Sequence, residues 1–590
     1  MAIRTLPQRK EAAGPKSLPN LMQRQPTSFA VPFVCSLATG ALLWLCHFPF
    51  AWGWLAWVAL VPLLFLVRID LSTKKVGWFA WLAGLVFYFP VLQWMRVADY
   101  RMYATWIGLS LYCSLFIPVG ILLVRRLDRK TGLPLVLTCP AIWTALEYLR
   151  AHFLTGFPWY FLGHTQHDFP ALTQIADIGG AYTVTFLVAG VNALIFEMLW
   201  KRLTKSNLSQ LSGRSLLWQT LGVALVLAGT LGYGMVRLNQ EDFIRGPRVA
   251  LIQGNLDQRI RNSASEDGNQ EAIRKMQIHF GELSILAALQ DPKPDLIVWS
   301  ETSYPAAWIE GPFGQPDPDT LESIQWDARQ WGTTALLGLN SVVRPENGVK
   351  RNYNSALLVR SNGQIGPRYD KIHRVPFGEY VPFKDWLPLM NKLAPYDYDY
   401  GVQPGEQYTQ FPLGNFHFGA LICYEDTDPS LARQYAKGGE GEATADFLIN
   451  ISNDGWFDGT SEHEEHLAIS RFRAIECRRA VARAVNMGVS AIIDGNGRVL
   501  QPRPVESPSG FKPAPVWESA WSKNNLPQLE IGRWTQFKKI AGVLIGTIPI
   551  DRRFSLYAHW GDWFPIGCWL FLFLGLIWSW RQSKTPENIP

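Results

Sequence analysis

Apolar runs follow one another through the first 240 positions of the chain, give way to short apolar stretches set between polar turns, and return once more at the end. A helix needs about 20 predominantly apolar residues to cross the hydrocarbon core of a bilayer. Runs of that kind fall at 29–48, 50–67, 76–95, 104–124, 133–149, 180–200 and 215–236, with an eighth at 563–580. The last has no charged residue and would reach about 27 Å as a helix. No small-x-small cleavage site follows the first run and apolar sequence resumes at once, so that run reads as a retained span rather than a signal peptide. Residues 1–28, rich in Pro, Gln and basic side chains, are predicted to be a disordered tail.

Between the seventh and eighth runs the period changes. Short β-branched stretches alternate with helical spacing and turn signals, the pattern of a separate α/β domain. Strands are expected at 248–255, 296–299, 335–340, 416–422, 446–451 and 491–494, with helices over 269–290 and 462–485. The predicted organisation is therefore a tail (1–28), a membrane domain with helices one to seven (29–240), an extracytoplasmic catalytic domain (241–562), helix eight (563–580) and a tail (581–590).

Charge adds direction to this picture. The net charge is +6 over 590 residues, but the basic residues gather in alternate loops. One side holds Arg68, Lys74 and Lys75, then Arg125, Arg126, Arg129 and Lys130, then Lys201, Arg202, Lys205 and Arg214, whereas the other side's short loops hold Arg96, Arg101 and Arg150. That bias is the positive-inside pattern of a multi-pass membrane protein with both termini in the cytoplasm, and it is no nucleic-acid footprint. Trp44, Trp52, Trp54, Trp57, Trp78, Trp81, Trp94 and Trp106 crowd the first 110 positions. Indole rings favour the headgroup layer, where one edge is wet.

Candidate chemistry lies in the α/β segment. Cys423 ends the apolar run Phe416–Ile422, where a thiol can be presented to a pocket. A free thiol has a pKa of about 8.5, so attack on an acyl group at neutral pH needs a base or a nearby cation. Glu301 and Lys371 also end or follow predicted strands, the edge where open α/β sheets gather their chemistry. Glu301 can take the thiol proton and Lys371 can hold a thiolate and then an oxyanion, with the Tyr424 N–H as a second donor. Of the remaining cysteines only Cys477 lies in this segment; it reads as structural and reduced. His463 and His466 stand three apart, whereas a metalloprotease pair needs four, so they are read as a solvated helix start with no metal. Arg471, Arg473, Arg478 and Arg479 are expected to pair within the domain, and Glu147 and Glu197 to cap or snorkel at span ends.

Residues 294–302, 369–382 and 422–425 resemble the three catalytic blocks of the nitrilase superfamily. Joined to a membrane domain on both flanks, and with further likeness over 450–457 and 556–564, the chain resembles the apolipoprotein N-acyltransferase family. The resemblance implies an αββα sandwich beside about eight membrane helices, in a bacterial inner membrane with the sandwich on the periplasmic side. It implies Cys423 as nucleophile, Glu301 as general base and acid, Lys371 as oxyanion partner, and Glu379 as the group that orients Lys371 or shuttles protons. Tyr424, Glu425, Trp456 and Phe457 match residues lining the acyl site. The implied reaction moves an acyl chain from a phospholipid, through a Cys423 thioester with ping-pong kinetics, to the α-amino group of a diacylglyceryl-cysteine on an apolipoprotein. No cofactor is implied, and a monomer is expected. A membrane-anchored amidase or nitrile-processing hydrolase would use the same three residues, with water in place of the amine; a non-catalytic lipid-binding scaffold is the third class. Two departures stand out: the family's Trp shortly after Gln253-Gly254-Asn255 is missing from 256–262, and a Pro-rich stretch over 503–540 looks like an insert.

Overall fold

The computed structural model describes residues 29–204, 212–240, 243–265, 268–346, 348–384, 386–387, 390, 401–438, 444–506, 514–519 and 527–584. Both expected terminal tails, apart from 581–584, lie outside the described residues, as do two parts of the Pro-rich insert.

Each predicted apolar run forms helix, but not each forms one long helix. Helices run over Ala30–Leu45, Thr73–Val91, Leu135–His152, Ala181–Leu203, Gly213–Asn239 and Trp563–Lys584. The second run is broken into Ala56–Ala59 and Val61–Arg68, and the fourth into Met102–Ser114 and Phe116–Thr131. Pro62 and Pro118 follow these breaks. A proline ring crowds the carbonyl four residues before it and has no N–H to give, so the break falls just upstream of each. Counted across the breaks at Leu115 and Leu60, four helices among the described residues are long and apolar enough to cross a membrane, Met102–Thr131, Ala181–Leu203, Gly213–Asn239 and Trp563–Gln582, while Ala30–Leu45 and Gly53–Arg68 are shorter. The closing helix runs past the expected boundary at 580.

The α/β segment holds β1 (Ile244–Gln253), β2 (Leu296–Val298), β3 (Trp308–Glu310), β4 (Thr334–Val343), β5 (Arg351–Val359), β6 (Ile365–Asp370), β7 (Gln410–Leu413), β8 (Phe416–Ile422), β9 (Phe447–Ser452), β10 (Ala480–Val485), β11 (Ala491–Ile493), β12 (Pro502–Val505), β13 (Val516–Ser519) and β14 (Gly542–Ile550). They make a nine-stranded sheet, ordered β12-β13-β14-β1-β2-β4-β5-β6 with β3 beside β4, and a five-stranded sheet, β11-β10-β9-β8-β7. Strand alternation sorts the side chains into layers. Val249, Leu251, Leu296 and Val298 meet Phe418, Ala420, Ile422 and Ile449 between the two sheets. Their neighbours Ala250, Ile252, Ile297 and Trp299 face the other way, onto Met276, Phe280, Ile324 and Ala328 of helices Gln270–Ala288 and Pro318–Trp331. Leu421 and Leu448 face Leu431, Ala432 and Ala468 of helices Pro429–Lys437 and Glu462–Cys477. The result is a four-layer αββα sandwich.

Several expectations change here. The helix predicted over 462–485 ends at Cys477, because Arg478 takes a left-handed turn (φ 49°) and β10 begins at Ala480. That helix is buried along its whole length. His463 and His466 are therefore no solvated helix start. Part of the Pro-rich insert is ordered as β12 and β13, which extend the large sheet from β14. Glu147 neither caps nor snorkels: it is buried and accepts from Leu162 N, Thr185 Oγ1 and Trp143 Nε1. Glu197 is likewise buried, against Arg68.

Candidate active site

Three strand ends converge. Glu301 follows β2 by three residues, Lys371 follows β6 directly, and Cys423 follows β8 directly. The turn after β2 is pressed onto β4, where a Cβ on Gly338 would stand 2.3 Å from the Ser300 carbonyl oxygen and 2.9 Å from Glu301 Cα. Only glycine admits that approach. Arg261 clamps the same turn from the side, donating to the carbonyls of Glu301 and Thr302 at 2.5 and 3.0 Å and to Ser303 Oγ at 3.0 Å. It sits in the stretch that lacks the family's Trp.

The Glu301 carboxylate is fully engaged. Oε1 accepts from Asn354 Nδ2 at 2.7 Å and from Lys371 Nζ at 3.3 Å, and Oε2 accepts from Asn453 N at 3.0 Å. Lys371 also donates to Glu379 Oε1 at 2.9 Å. Glu379 is held in turn by Val375 N and Asn354 Nδ2. Burial alone would lower the Lys371 pKa, but Glu379 and Glu301 outweigh it and hold the ammonium well above the ordinary lysine range. The site therefore keeps a fixed positive charge.

Cys423 adopts φ 53°, a left-handed conformation that costs a non-glycine residue on the order of 1 kcal/mol or more. The turn that follows is locked by Glu425. Its carboxylate accepts from Ile422 N, Ile372 N, His373 N and the Tyr369 hydroxyl, all within 2.9 Å. Burial nonetheless raises its pKa to about 7. Glu425 is absent from the cavity wall, contrary to the role that the resemblance implied; it is the brace that ties the Cys423 turn to the Lys371 turn. Burial pushes the Cys423 thiol well up, Glu301 adds to the rise, and Lys371 opposes it.

Glu301, Lys371, Glu379, Cys423, Tyr424, Trp456 and Phe457 all line one cavity of about 1210 Å³. Its other wall comes from the helical region, with Trp94, Met95, Met102, Leu109, Tyr112 and Trp159. The two walls touch through rings: Tyr424 stacks on Trp159 at 6.0 Å and 8°, and Phe457 meets Trp94 edge-on at 4.6 Å. Asn354 and Asn453 were missed in the sequence. Their signal was present, as a polar residue inside the β-run 351–359 and another just past the apolar end of β9.

Glu462 and His466 also line this cavity and belong to a second buried polar group. His466 Nε2 bonds Asp426 Oδ1 at 2.7 Å, and its Nδ1 faces Asp454 at 3.3 Å and Glu462 at 3.4 Å. Arg483 binds both Asp426 and Asp454 at 2.9 Å. Asp454, Glu462 and His466 present donor atoms within 4.8 Å of one another, as a metal site would. Arg483 already binds Asp426 and Asp454, and His466 bonds Asp426, so these carboxylates have partners within the protein.

Comparison with known proteins fits both halves of the chain. Residues 39–194 match the profile of the apolipoprotein N-acyltransferase N-terminal domain, and residues 248–508 match that of the carbon-nitrogen hydrolases. An apolipoprotein N-acyltransferase from Geobacter metallireducens is 33% identical over 81% of this chain and 88% of its own length. The chain belongs to the apolipoprotein N-acyltransferase family. A second family member, from Vibrio vulnificus, is 27% identical over 94% of this chain and 97% of its own. Among solved structures, a carbon-nitrogen hydrolase from Helicobacter pylori is 16% identical, covers 54% of this chain and 93% of that one, and superposes with a TM-score of 0.34. As a member of this N-acyltransferase family the chain is an enzyme of lipoprotein biosynthesis, built from a helical region and a carbon-nitrogen hydrolase domain.

Proposed function

We propose that the protein transfers an acyl chain from a phospholipid to the α-amino group of a diacylglyceryl-cysteine on an apolipoprotein, through a thioester on Cys423. One observation carries this reading: the sulfur, in its strained turn, opens onto a cavity walled on one side by the sandwich and on the other by apolar residues of the helical region. A small amide would need no such gallery. A lipid entering laterally would.

In the first half-reaction Glu301 takes the thiol proton as sulfur attacks the ester carbonyl. Lys371 Nζ and the Tyr424 N–H hold the oxyanion, and the C–O bond breaks as Glu301 returns the proton to the departing lysophospholipid alkoxide. In the second, the acceptor amine attacks the thioester, Glu301 takes its proton, and the thiolate leaves. Glu379 orients Lys371 by the bond between them. Tyr424, Trp456 and Phe457 guide the acyl chain. The membrane domain is read as eight helical segments over 29–240 and 563–580, with both termini cytoplasmic and the sandwich in the periplasm of an inner membrane, on the bias of Lys and Arg toward alternate loops. The protein is read as a monomer, because both substrates reach it by lateral diffusion.

The test uses purified protein in vesicles containing phospholipid labelled in its acyl chain, followed by a diacylglyceryl-cysteine peptide. Label is expected to appear on Cys423 and then to pass to the peptide amine. Label released only to water would replace this reading with the hydrolase, and no label on the protein would defeat both.

A further inference from the structure

β1 ends at Gln253, and the chain that follows is pinned before it turns into a helix. Asn486 Nδ2 donates to the Leu256 carbonyl at 3.0 Å, and Asn486 Oδ1 accepts from Leu256 N at 3.1 Å. Asp257 then caps the helix Gln258–Ser265, accepting from Arg259 N at 2.8 Å. Gln258 and Arg261 stand three apart, on one face of that helix, and both line the cavity. Arg261 is 3% exposed. Its Nη2 donates to the carbonyls of Glu301 and Thr302 at 2.5 and 3.0 Å and to Thr302 Oγ1 at 2.8 Å, and its Nη1 donates to Ser303 Oγ at 3.0 Å. Gln258 Oε1 accepts from Asn453 Nδ2 at 2.8 Å, and Asn453 N is the donor that holds Glu301 Oε2 at 3.0 Å. One short helix therefore reaches both ends of Glu301, its backbone directly and its carboxylate through Asn453.

We infer that Arg261 and Gln258 are positioning residues for Glu301, Arg261 holding its backbone and Gln258 holding the Asn453 donor, so that the carboxylate keeps its aim while it takes and returns a proton. The inference deepens the proposed function and rests on Glu301 being the base and Cys423 the nucleophile. Thr302, the residue next to the base, has φ 44°. A left-handed conformation at a non-glycine residue persists only where the surrounding structure holds it there. The bonds on the carboxylate cannot do this alone, because they change with its charge. Asn354, Lys371 and Asn453 all donate to it. A proton arriving on one oxygen makes that oxygen a donor and weakens the bonds it accepts. The bonds from Arg261 fall on backbone carbonyls and hydroxyls, which remain acceptors whether or not Glu301 carries a proton. The planar guanidinium fork lets one side chain engage three consecutive residues, which an ammonium cannot match.

The experiment reads acylation of Cys423 without a lipid. Full-length protein in detergent is mixed with p-nitrophenyl butyrate, and the burst of p-nitrophenolate is timed, with Cys423→Ala as the blank. In this step sulfur attacks the ester carbonyl, Glu301 takes the thiol proton, and nitrophenolate leaves as an anion without needing one. Arg261→Ala is expected to slow the burst about a hundredfold, as misplacing a reacting group by about 1 Å does, with the ester concentration for half-maximal rate within about twofold of the natural value. Arg261→Lys should recover part of the rate. Added N-ethylguanidinium should rescue Arg261→Ala saturably, and ethylammonium at the same concentration should not. Gln258→Leu removes one acceptor at similar volume and should slow the burst about threefold to tenfold. It leaves the bonds of the Glu301 turn in place, so it reads the aim of the carboxylate even where Arg261→Ala lowers the unfolding temperature.

A natural burst rate in Arg261→Ala, a loss carried by the half-maximal concentration alone, or a loss that neither lysine nor guanidinium answers would overturn the role of Arg261. A natural rate in Gln258→Leu would overturn that of Gln258. The ester has no headgroup and the burst no acceptor amine, so a protein that bursts here yet takes no acyl chain from phospholipid would defeat the proposed function while the positioning stands.

Discussion

Two regions of this protein bury charge, and they treat it differently. At the seam where the helical region meets the sandwich, every principal charge is closed in by partners. Asp177 takes Arg478 at 2.6 Å, Arg237 at 2.7 Å and the Tyr233 hydroxyl at 2.7 Å. Glu465 takes His47 and the backbone of Phe48, and Glu476 takes the backbone N–H of Ala181. In the cavity, Glu301, Lys371 and Glu379 are also paired, but one side of the set faces about 1210 Å³ of open space. The seam uses charge to fix how two folded regions dock; the cavity keeps charge oriented toward a substrate. Burying ions is expensive in either place, and in both the carboxylates recover partners, so the open space beside the cavity set is what separates the two.

Replacing the group with no seam counterpart should give the largest effect. Cys423→Ala is expected to abolish acyl capture from labelled phospholipid while leaving the thermal unfolding midpoint within a degree or two of the natural protein, since a small side chain at the rim of a cavity removes little packing. Residual turnover would show that the sulfur is not the acceptor. Glu301→Gln should keep the bonds at one carboxyl oxygen, lose those at the other because an amide nitrogen donates rather than accepts, and lose the base, for a drop in transfer rate of about a hundredfold to ten-thousandfold with the fold retained. A variant that unfolds instead would place Glu301 with the seam residues.

Asp177→Ala attacks the other region. Removing one partner leaves Arg478 and Arg237 buried without a counter-charge, at about 3–5 kcal/mol, and the expected result is a large fall in unfolding temperature measured in detergent. Retained stability with lost activity would blur the distinction drawn here.

The smallest effect concerns pH. Burial, against the pull of Arg473, raises the Glu476 carboxyl to about 7. Between about 4.5 and 7 the folded chain holds a proton there that the unfolded chain has lost. Stability therefore falls as pH rises through that window, and Glu476→Gln should flatten this part of the unfolding-temperature profile. An unchanged slope would mean that Glu476 stays ionised at the seam.

How much of this was legible beforehand differs from residue to residue. The motif blocks at 294–302, 369–382 and 422–425 singled out Glu301, Lys371 and Cys423, and the structure brings these three strand-end residues to one cavity. Strands β1, β4, β8 and β9 were legible from apolar runs bounded by turns. Glu425 was misassigned because adjacency to Cys423 says nothing about which way a side chain turns; four inward-pointing donors settle that. Arg478 was expected to pair within its own domain, yet it reaches Asp177 and Gln174 some 300 positions earlier, and no local pattern encodes such a contact. The helix expected to continue to 485 stopped at Cys477 because a left-handed residue and the demands of β10 override helical spacing.

The sequence by itself determined which stretches are apolar enough to leave water, which alternate as strands, and which nucleophilic, acidic and basic residues stand at strand ends, since hydropathy, periodicity and side-chain chemistry are local properties. Only the tertiary structure decided that Trp94, Met102 and Trp159 of the helical region face Cys423 across one cavity, and that Glu425 braces rather than lines it. Those relations depend on how separate elements pack, and packing is set by the whole chain at once.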